Sequence, residues 1–340
     1  MTAGSIRWGV LSTAKIAREK VAPAIHAAHN GILHAVASRD VGRAQAFARD
    51  LEIPTAYGSY DELLADDAID AVYIPLPTSF HHRWVIKAAE AGKHILCDKP
   101  FASDARQAEQ MVAACTAASV QLIEGFMYRY DPRHQRVREL LAAGAIGDLR
   151  RVRVVFSFLI APGPANVRLS AELDGGVWGD LGCYCVSISR LYMQQEPTWI
   201  QASLEYDDEL GVDIDGSAIM GFGPQRRALV DFSFITGAQQ CLEVAGTEGR
   251  ISCHSASSRW RGRGSFASSV AATKRKRSKS CLPSPSIRTW PKLRIWARPS
   301  AAKPSRAFPA ARRYATCASS TPCAPAPVAA VGFPSHETRR

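Results

Sequence analysis

Five short apolar runs confined to the first part of the chain constrain its fold more than any other feature. "IRWGVL" (6–11), "LHAVAS" (33–38), "AVYIPL" (71–76), "HILC" (94–97) and "VQLIEG" (120–125) are separated by stretches such as "HHRWVIKAAEAG" and "DARQAEQMVAACTAA". The runs have strand length and little polar alternation, as strands buried on both faces do, and the stretches between them carry a helical period. Strand, helix, strand repetition requires a parallel sheet covered on both sides, and such a sheet binds its ligand at the carboxyl ends of its strands. Residues 1–125 are therefore expected to form a doubly wound α/β domain.

After a helical stretch near 132–143 the pattern changes. "LRRVRVVFSFLI" (149–160), "WIQASLEY" (199–206), "GSAIMGFG" (216–223), "RRALVDFSF" (226–234) and "QCLEVAG" (240–246) read as longer strands joined by short turns. Residues 126–254 are thus expected to form an α+β domain with a large, mostly antiparallel sheet. From about Ser255 neither period persists. Of the 42 lysines and arginines, 18 fall in 251–340 against a single acid, Glu337, which leaves the body of the chain mildly acidic. The tail, 255–340, has three readings: a disordered Pro/Ser/Ala-rich appendage, a nucleic-acid patch around "KRKRSK", or the product of a shifted reading frame. The abrupt switch inside an unclosed sheet favours the last and disfavours nucleic acid.

No apolar run is long enough to span a membrane, and "MTAGSIRWGV" lacks the layout of a signal peptide, so a cytoplasmic protein is expected. The nine cysteines include no CxxC pair, which reads as reduced thiols without a zinc site.

The candidate site residues gather at the carboxyl ends of the first strands. "GVLSTAKIA" (9–17) is a turn between strand and helix, where a dinucleotide fold seats its pyrophosphate; Ser12 and Ala14 stand where glycines are usual. "ASRD" (37–40) closes the second strand. A serine and an arginine there suit the 2′-phosphate of NADP better than the bare ribose of NAD, and Asp40 suits a helix cap. In "IPLPTSFHHRW" (74–84) two prolines stiffen a segment that would lie along the nicotinamide ribose, with Thr78 or Ser79 capping the next helix. His81 and His82 diverge on a helix, so no metal site is expected.

"HILCDKPFAS" (94–103) ends a buried strand in Asp98, Lys99 and Pro100. A lysine there is placed to hydrogen-bond a substrate hydroxyl and to stabilise charge developing on its oxygen; a surface lysine in a loop is the plain alternative. "GGVWGDLGCYCVSISRLY" (175–192) opens with glycines and turns into a helix, which puts Asp180 and Tyr184 on one face. An ammonium near Tyr184 would lower the phenol's pKa and make it a better proton acceptor.

The order of "RWGVLSTAKIA", "ASRD", "PTSFHH", "AGKHILCDKP", "EGFMYRYDP" and "GDLGCY" resembles the glucose-fructose oxidoreductase, inositol dehydrogenase and MocA family over about residues 5–250, in particular its D-xylose dehydrogenase and trans-dihydrodiol dehydrogenase branch. The resemblance implies an N-terminal Rossmann domain and an NAD(P)-dependent dehydrogenase acting on a hydroxyl-bearing carbon of a sugar, polyol or dihydrodiol. It implies Lys99, Tyr184 and Asp180 as the catalytic group. For the cofactor, NADP or possibly NAD in its place, it and the residue readings point to Gly9, Ser12, Thr13, Ala14, Lys15, Ile16, Ser38, Arg39, Pro77, Thr78, His82, Asp98 and Lys99. A homodimer through the second sheet is also implied. Asp98 and Ala14 depart from the family's usual glutamate and glycine. The rival expectation is a nucleotide-binding protein without turnover, or a product inactivated by its altered end.

Overall fold

The computed structural model describes residues 4–161, 166–255, 270–274 and 277–280. The first domain is built on six parallel strands, β1 (Ile6–Leu11), β2 (Gly31–Ala37), β3 (Thr55–Tyr57), β4 (Ala71–Ile74), β5 (His94–Cys97) and β6 (Leu122–Glu124), in the order β3-β2-β1-β4-β5-β6. The connections reverse direction between β1 and β4, which opens a crevice at their carboxyl ends. Helices α1 (Ala22–Ala27) and α2 (Val41–Asp50) cover one face, and α3 (Tyr60–Leu64), α4 (His81–Glu90) and α5 (Ala105–Ala117) the other. Alternate strand residues feed the two cores: Val10 and Tyr73 pack with Ile25 and Phe47, whereas Leu11 and Ile74 pack with Leu63 and Val85. Each large side chain so buried contributes about 1.5–3 kcal/mol. Asp40, Ser59 and Asp104 cap α2, α3 and α5 by accepting backbone N–H bonds from Arg43, Glu62 and Gln107.

Helix α6 (Pro132–Ala142), capped by Asp131, leads to the second domain. Its sheet comprises β7 (Leu149–Ser157), β8 (Trp199–Asp207), β9 (Val212–Gly221), β10 (Arg227–Ser233), β11 (Gln239–Gly246), β12 (Gly249–Ser255), β13 (Val270–Lys274) and β14 (Arg277–Ser280). The order is β14-β13-β12-β11-β7-β10-β9-β8, antiparallel throughout except for the β7–β10 pair. Helix α7 (Cys183–Met193) lies on one face, where Val186 and Met193 join Val152, Val230 and Phe232 in a single core. On the opposite face Arg153 pairs with Glu243, and Trp199 and Ile219 are exposed.

β3 was not expected, being three half-buried residues at a sheet edge, and β9 begins four residues before the expected "GSAIMGFG". β13 and β14 fall where the sequence pattern ends; otherwise the expectations for 255–340 lie outside the described residues. No helix among the described residues is long and apolar enough to cross a membrane.

Candidate active site

The site forms where the carboxyl ends of β4, β5 and β6 meet the start of α7. Cys97, the last residue of β5, is fully buried, and the chain leaves it through Asp98, Lys99 and a cis Lys99–Pro100 bond. Asp98 fixes this turn: Oδ1 accepts the Lys99 N–H at 2.9 Å, and Oδ2 accepts the Tyr73 hydroxyl of β4 at 3.2 Å. His81, wholly buried at the start of α4, holds it from behind. Its Nδ1 faces the Pro100 carbonyl oxygen at 3.0 Å and its Nε2 faces that of Leu76 at 2.8 Å. Burial holds the His81 pKa below its ordinary value, although Asp98 and the carbonyls pull the other way. The strand ends and the lysine turn are thereby tied to one another.

So anchored, the Lys99 side chain reaches across to the second domain. Its Nζ donates to the Asp180 carboxylate and, at 2.9 Å, to the Asp180 carbonyl oxygen, and it lies 5.1 Å from the centre of the Tyr184 ring. Burial is the largest single influence and disfavours the ammonium, but Asp180 first, with Tyr184, Cys183 and Asp98, together outweigh it and hold the Lys99 pKa above its ordinary value. Asp180 is shared: its other carboxylate oxygen accepts from Arg168 Nε at 2.6 Å. Burial would raise its pKa, yet the two cations keep it lowered.

Asp180 and Tyr184 face the same Lys99 ammonium, as expected, but the turn that carries Asp180 is not α-helical. Trp178–Gly182 is a π-helical turn that runs directly into α7, with Asp180 in the turn and Tyr184 in the first turn of α7. Asp213 of β9 accepts the Trp178 N–H, and a Cβ at Gly176 (φ +115°) would collide with that carboxylate, which accounts for the glycine. The Tyr184 ring is boxed edge-on by Phe126 and Phe156 at 5.1 and 5.4 Å. This box corrects the expectation of a lowered tyrosine pKa. Burial raises it, and Lys99 offsets only part of the rise.

On the cofactor side, Ser12 to Ala14 form the turn after β1 and the helical stretch 15–27 follows, π-helical over Ala17–Val21. Ser12 has φ +148°, a conformation that glycine tolerates and serine adopts at a cost, and its Oγ accepts the Ala14 N–H at 2.9 Å. Thr13, Lys15 and Ile16 occupy the turn and the first helical residues. Gly9 lies one strand turn earlier: a Cβ there would stand 2.7 Å from Leu63 Cδ2, so its glycine is required by packing on α3. At the end of β2 Ser38 is buried and Arg39 exposed beside Tyr60. After β4, Pro77 leads into a tight helical turn, Thr78–Phe80, placed ahead of α4. That turn displaces the helix start, so neither Thr78 nor Ser79 caps it as expected. Thr78 is buried, and Ser79 Oγ is buried without a hydrogen-bond partner among the described residues. His82 faces α5 and meets Gln110 Oε1 at 2.8 Å.

Strand order, a strained small-residue turn, an arginine at the end of β2 and an orphaned hydroxyl at the crevice together fit a dinucleotide. Arg168 and Glu124 were not anticipated from the sequence. Glu124 ends β6, where the Gly125 N–H donates to the Cys97 carbonyl oxygen at 2.7 Å; Glu124 Oε1 is buried without a partner among the described residues, and burial pushes the Glu124 pKa up to about 8. Only the "E" before "GFMYRYDP" hinted at it.

Residues 6–126 match the oxidoreductase family with the NAD-binding Rossmann fold, GFO/IDH/MocA, and residues 134–252 match the GFO/IDH/MocA C-terminal domain. The chain is 41% identical over 249 residues to D-xylose 1-dehydrogenase (NADP(+)) 2 of Haloferax volcanii, a match that covers 73% of this chain and 76% of that one. It is 34% identical to trans-1,2-dihydrobenzene-1,2-diol dehydrogenase of Xenopus tropicalis, over 72% and 74% of the two chains. The fold is similar to that of the 3-ketoreductase KijD10 of Actinomadura kijaniata in complex with NADP and TDP-benzene, with a TM-score of 0.74, 28% identity and coverage of 82% and 85%.

Proposed function

The chain belongs to the GFO/IDH/MocA family of NAD-binding oxidoreductases, and from that premise we propose that it moves hydride between NADP and a hydroxyl-bearing carbon of a sugar, polyol or dihydrodiol. The observation that carries this reading is the Lys99 ammonium, held by Asp180, beside the Tyr184 ring at the end of β5.

The turn Ser12 to Ile16 would take the pyrophosphate, Ser38 and Arg39 the 2′-phosphate, and Pro77, Thr78, His82 and Asp98 the nicotinamide end. When bound, the nicotinamide supplies the hydride acceptor or donor, which is the part of the chemistry a protein side chain cannot provide. The protein's share is geometry and proton transfer. Lys99, kept charged by Asp180, hydrogen-bonds the substrate oxygen and stabilises the negative charge that develops on it. Tyr184, whose raised pKa keeps it protonated at rest, gives its proton to that oxygen in the reductive direction; in the oxidative direction its own proton must first pass to solvent, and the tyrosinate, held beside the Lys99 ammonium, then takes the hydroxyl proton. The aromatic box around Tyr184 excludes water and strengthens both interactions. The D-xylose and dihydrodiol dehydrogenases among the relatives support a polyhydroxylated substrate. In the same reading the protein works in the cytoplasm as a homodimer paired through the open face of the second sheet.

The test is the shift in unfolding temperature of the full chain with NADP and with NAD at matched concentrations, followed by a screen of aldoses with the preferred nucleotide. A larger shift with NADP that disappears in Arg39→Ala, together with NADPH formation on an aldose, is expected. No shift with either nucleotide would refute the reading.

A further inference from the structure

We infer that Arg168 is a substrate-specificity residue: it recognises the hydroxyl on the carbon next to the reacting one, and so selects vicinal diols over isolated alcohols. The inference rests on the functional reading above.

Asp180 has two carboxylate oxygens and two cationic partners. Lys99 holds one oxygen, and Arg168 Nε holds the other at 2.6 Å. The two donors flank one carboxylate, so the groups they do not spend on it stand side by side. Lys99 and Asp180 have side chains only 13% exposed, whereas that of Arg168 is 45% exposed. Arg168 Nη1 and Nη2 have no partner among the described residues. A guanidinium that spends Nε on a protein carboxylate keeps four N–H donors in a fixed plane, a geometry suited to neighbouring oxygens.

The backbone around Arg168 is fixed firmly enough for it to select. Its carbonyl accepts the Gly176 N–H at 2.8 Å, and a Cβ at Gly175 would stand 2.6 Å from that same oxygen. Further along the segment, Ala171–Leu173 packs on Thr78–Phe80, and the Asp174 carboxylate accepts the Ser103 hydroxyl. The segment therefore spans from the second domain to the cofactor edge of the first, with Arg168 over the Lys99 pair. The group of Lys99, Arg168 and Asp180 carries one net positive charge, which also favours an oxygen-rich, electron-rich ligand over an apolar one.

Arg168→Lys keeps the charge beside Asp180 and removes the fork, and Arg168→Met removes both. The measurement is kcat/KM with NADP for D-xylose and for 2-deoxy-D-xylose, in the wild-type chain and both variants. The wild type is expected to favour D-xylose by about 10- to 100-fold, the range of one or two hydrogen bonds to a charged group, and both variants to compress that ratio below about threefold. Arg168→Lys is expected to keep the greater part of its turnover on the deoxy sugar, which a purely structural role for Arg168 would not produce. A wild type that does not discriminate the pair, or variants that lose both activities in equal proportion, would overturn the inference and leave the functional reading standing. A wild type that binds NADP and turns over neither pentose would overturn both.

Discussion

Asp180→Asn removes one negative charge from between two cations while keeping the side chain's shape, and its cost follows from burial. Removing one partner of a buried ion pair costs about 3–5 kcal/mol, because the other charge is left without compensation. Lys99 meets that condition. Arg168 is nearly half exposed and water screens its loss, so the lower end, about 3 kcal/mol, applies. At a urea dependence of about 1–3 kcal/mol per molar, the unfolding midpoint should fall by about 1 M or more at pH 7. The pH dependence carries a definite sign. The Asp180 pKa is lowered in the folded protein, so its stabilisation is present above the unfolded value, near 3.9, and is lost as pH falls through the folded value. The deficit of the variant should therefore be full at pH 7 and shrink below about pH 4. Burial is already the largest influence on Lys99, and without its strongest counterweight, Asp180, the Lys99 pKa falls, so the variant's residual turnover should acquire an ionisation that the wild type lacks over the same range. Urea unfolding from pH 3.5 to 8 and a pH–rate profile read both effects. A midpoint within about 0.2 M of wild type at pH 7, or an equal deficit at both ends of the pH range, would refute the reasoning.

Two further variants test the frame around the site. Glu124 has a folded pKa of about 8 against an ordinary value of 4.5, so its contribution is fully present below about pH 4.5, declines between there and 8, and is lost above; Glu124→Gln should abolish that decline, worth at most about 5 kcal/mol, and an unchanged stability–pH curve would count against a buried, proton-holding Glu124. Gly9→Ala should cost about 1–3 kcal/mol by overpacking Leu63, with little change in NADP affinity, as read by paired melting and nucleotide titration; a loss of affinity without a loss of stability would instead make Gly9 part of the cofactor turn.

The parallel sheet was legible because its central strands are buried on both faces and so leave uninterrupted apolar runs: "HILC" is β5 to the residue, and "IRWGVL" is β1. β3 escaped notice because Thr55, Ala56 and Tyr57 are half buried at an edge and carry no such run. The first residues of β9, "VDID", alternate apolar and acidic side chains, and an aspartate bound to the backbone of the α7 segment looks in sequence like a loop residue. Lys99, Asp180 and Tyr184 stood out as motif residues, yet the direction in which the Tyr184 pKa moves depends on Phe126 and Phe156, whose approach only packing reveals. Arg168 lay in no motif. What brings it to the site is a tight glycine turn that sets its Nε against an aspartate twelve residues away.

In the proposed reaction Lys99 serves the chemistry and not the binding of the nucleotide. The most direct test is Lys99→Met in the full chain, with NADPH formation from D-xylose measured beside the NADP-induced shift in unfolding temperature. A loss of turnover of about a hundred- to a thousandfold, the scale of a lost electrostatic stabiliser, is expected, with the NADP shift nearly unchanged. Near-normal turnover in that variant would contradict that role.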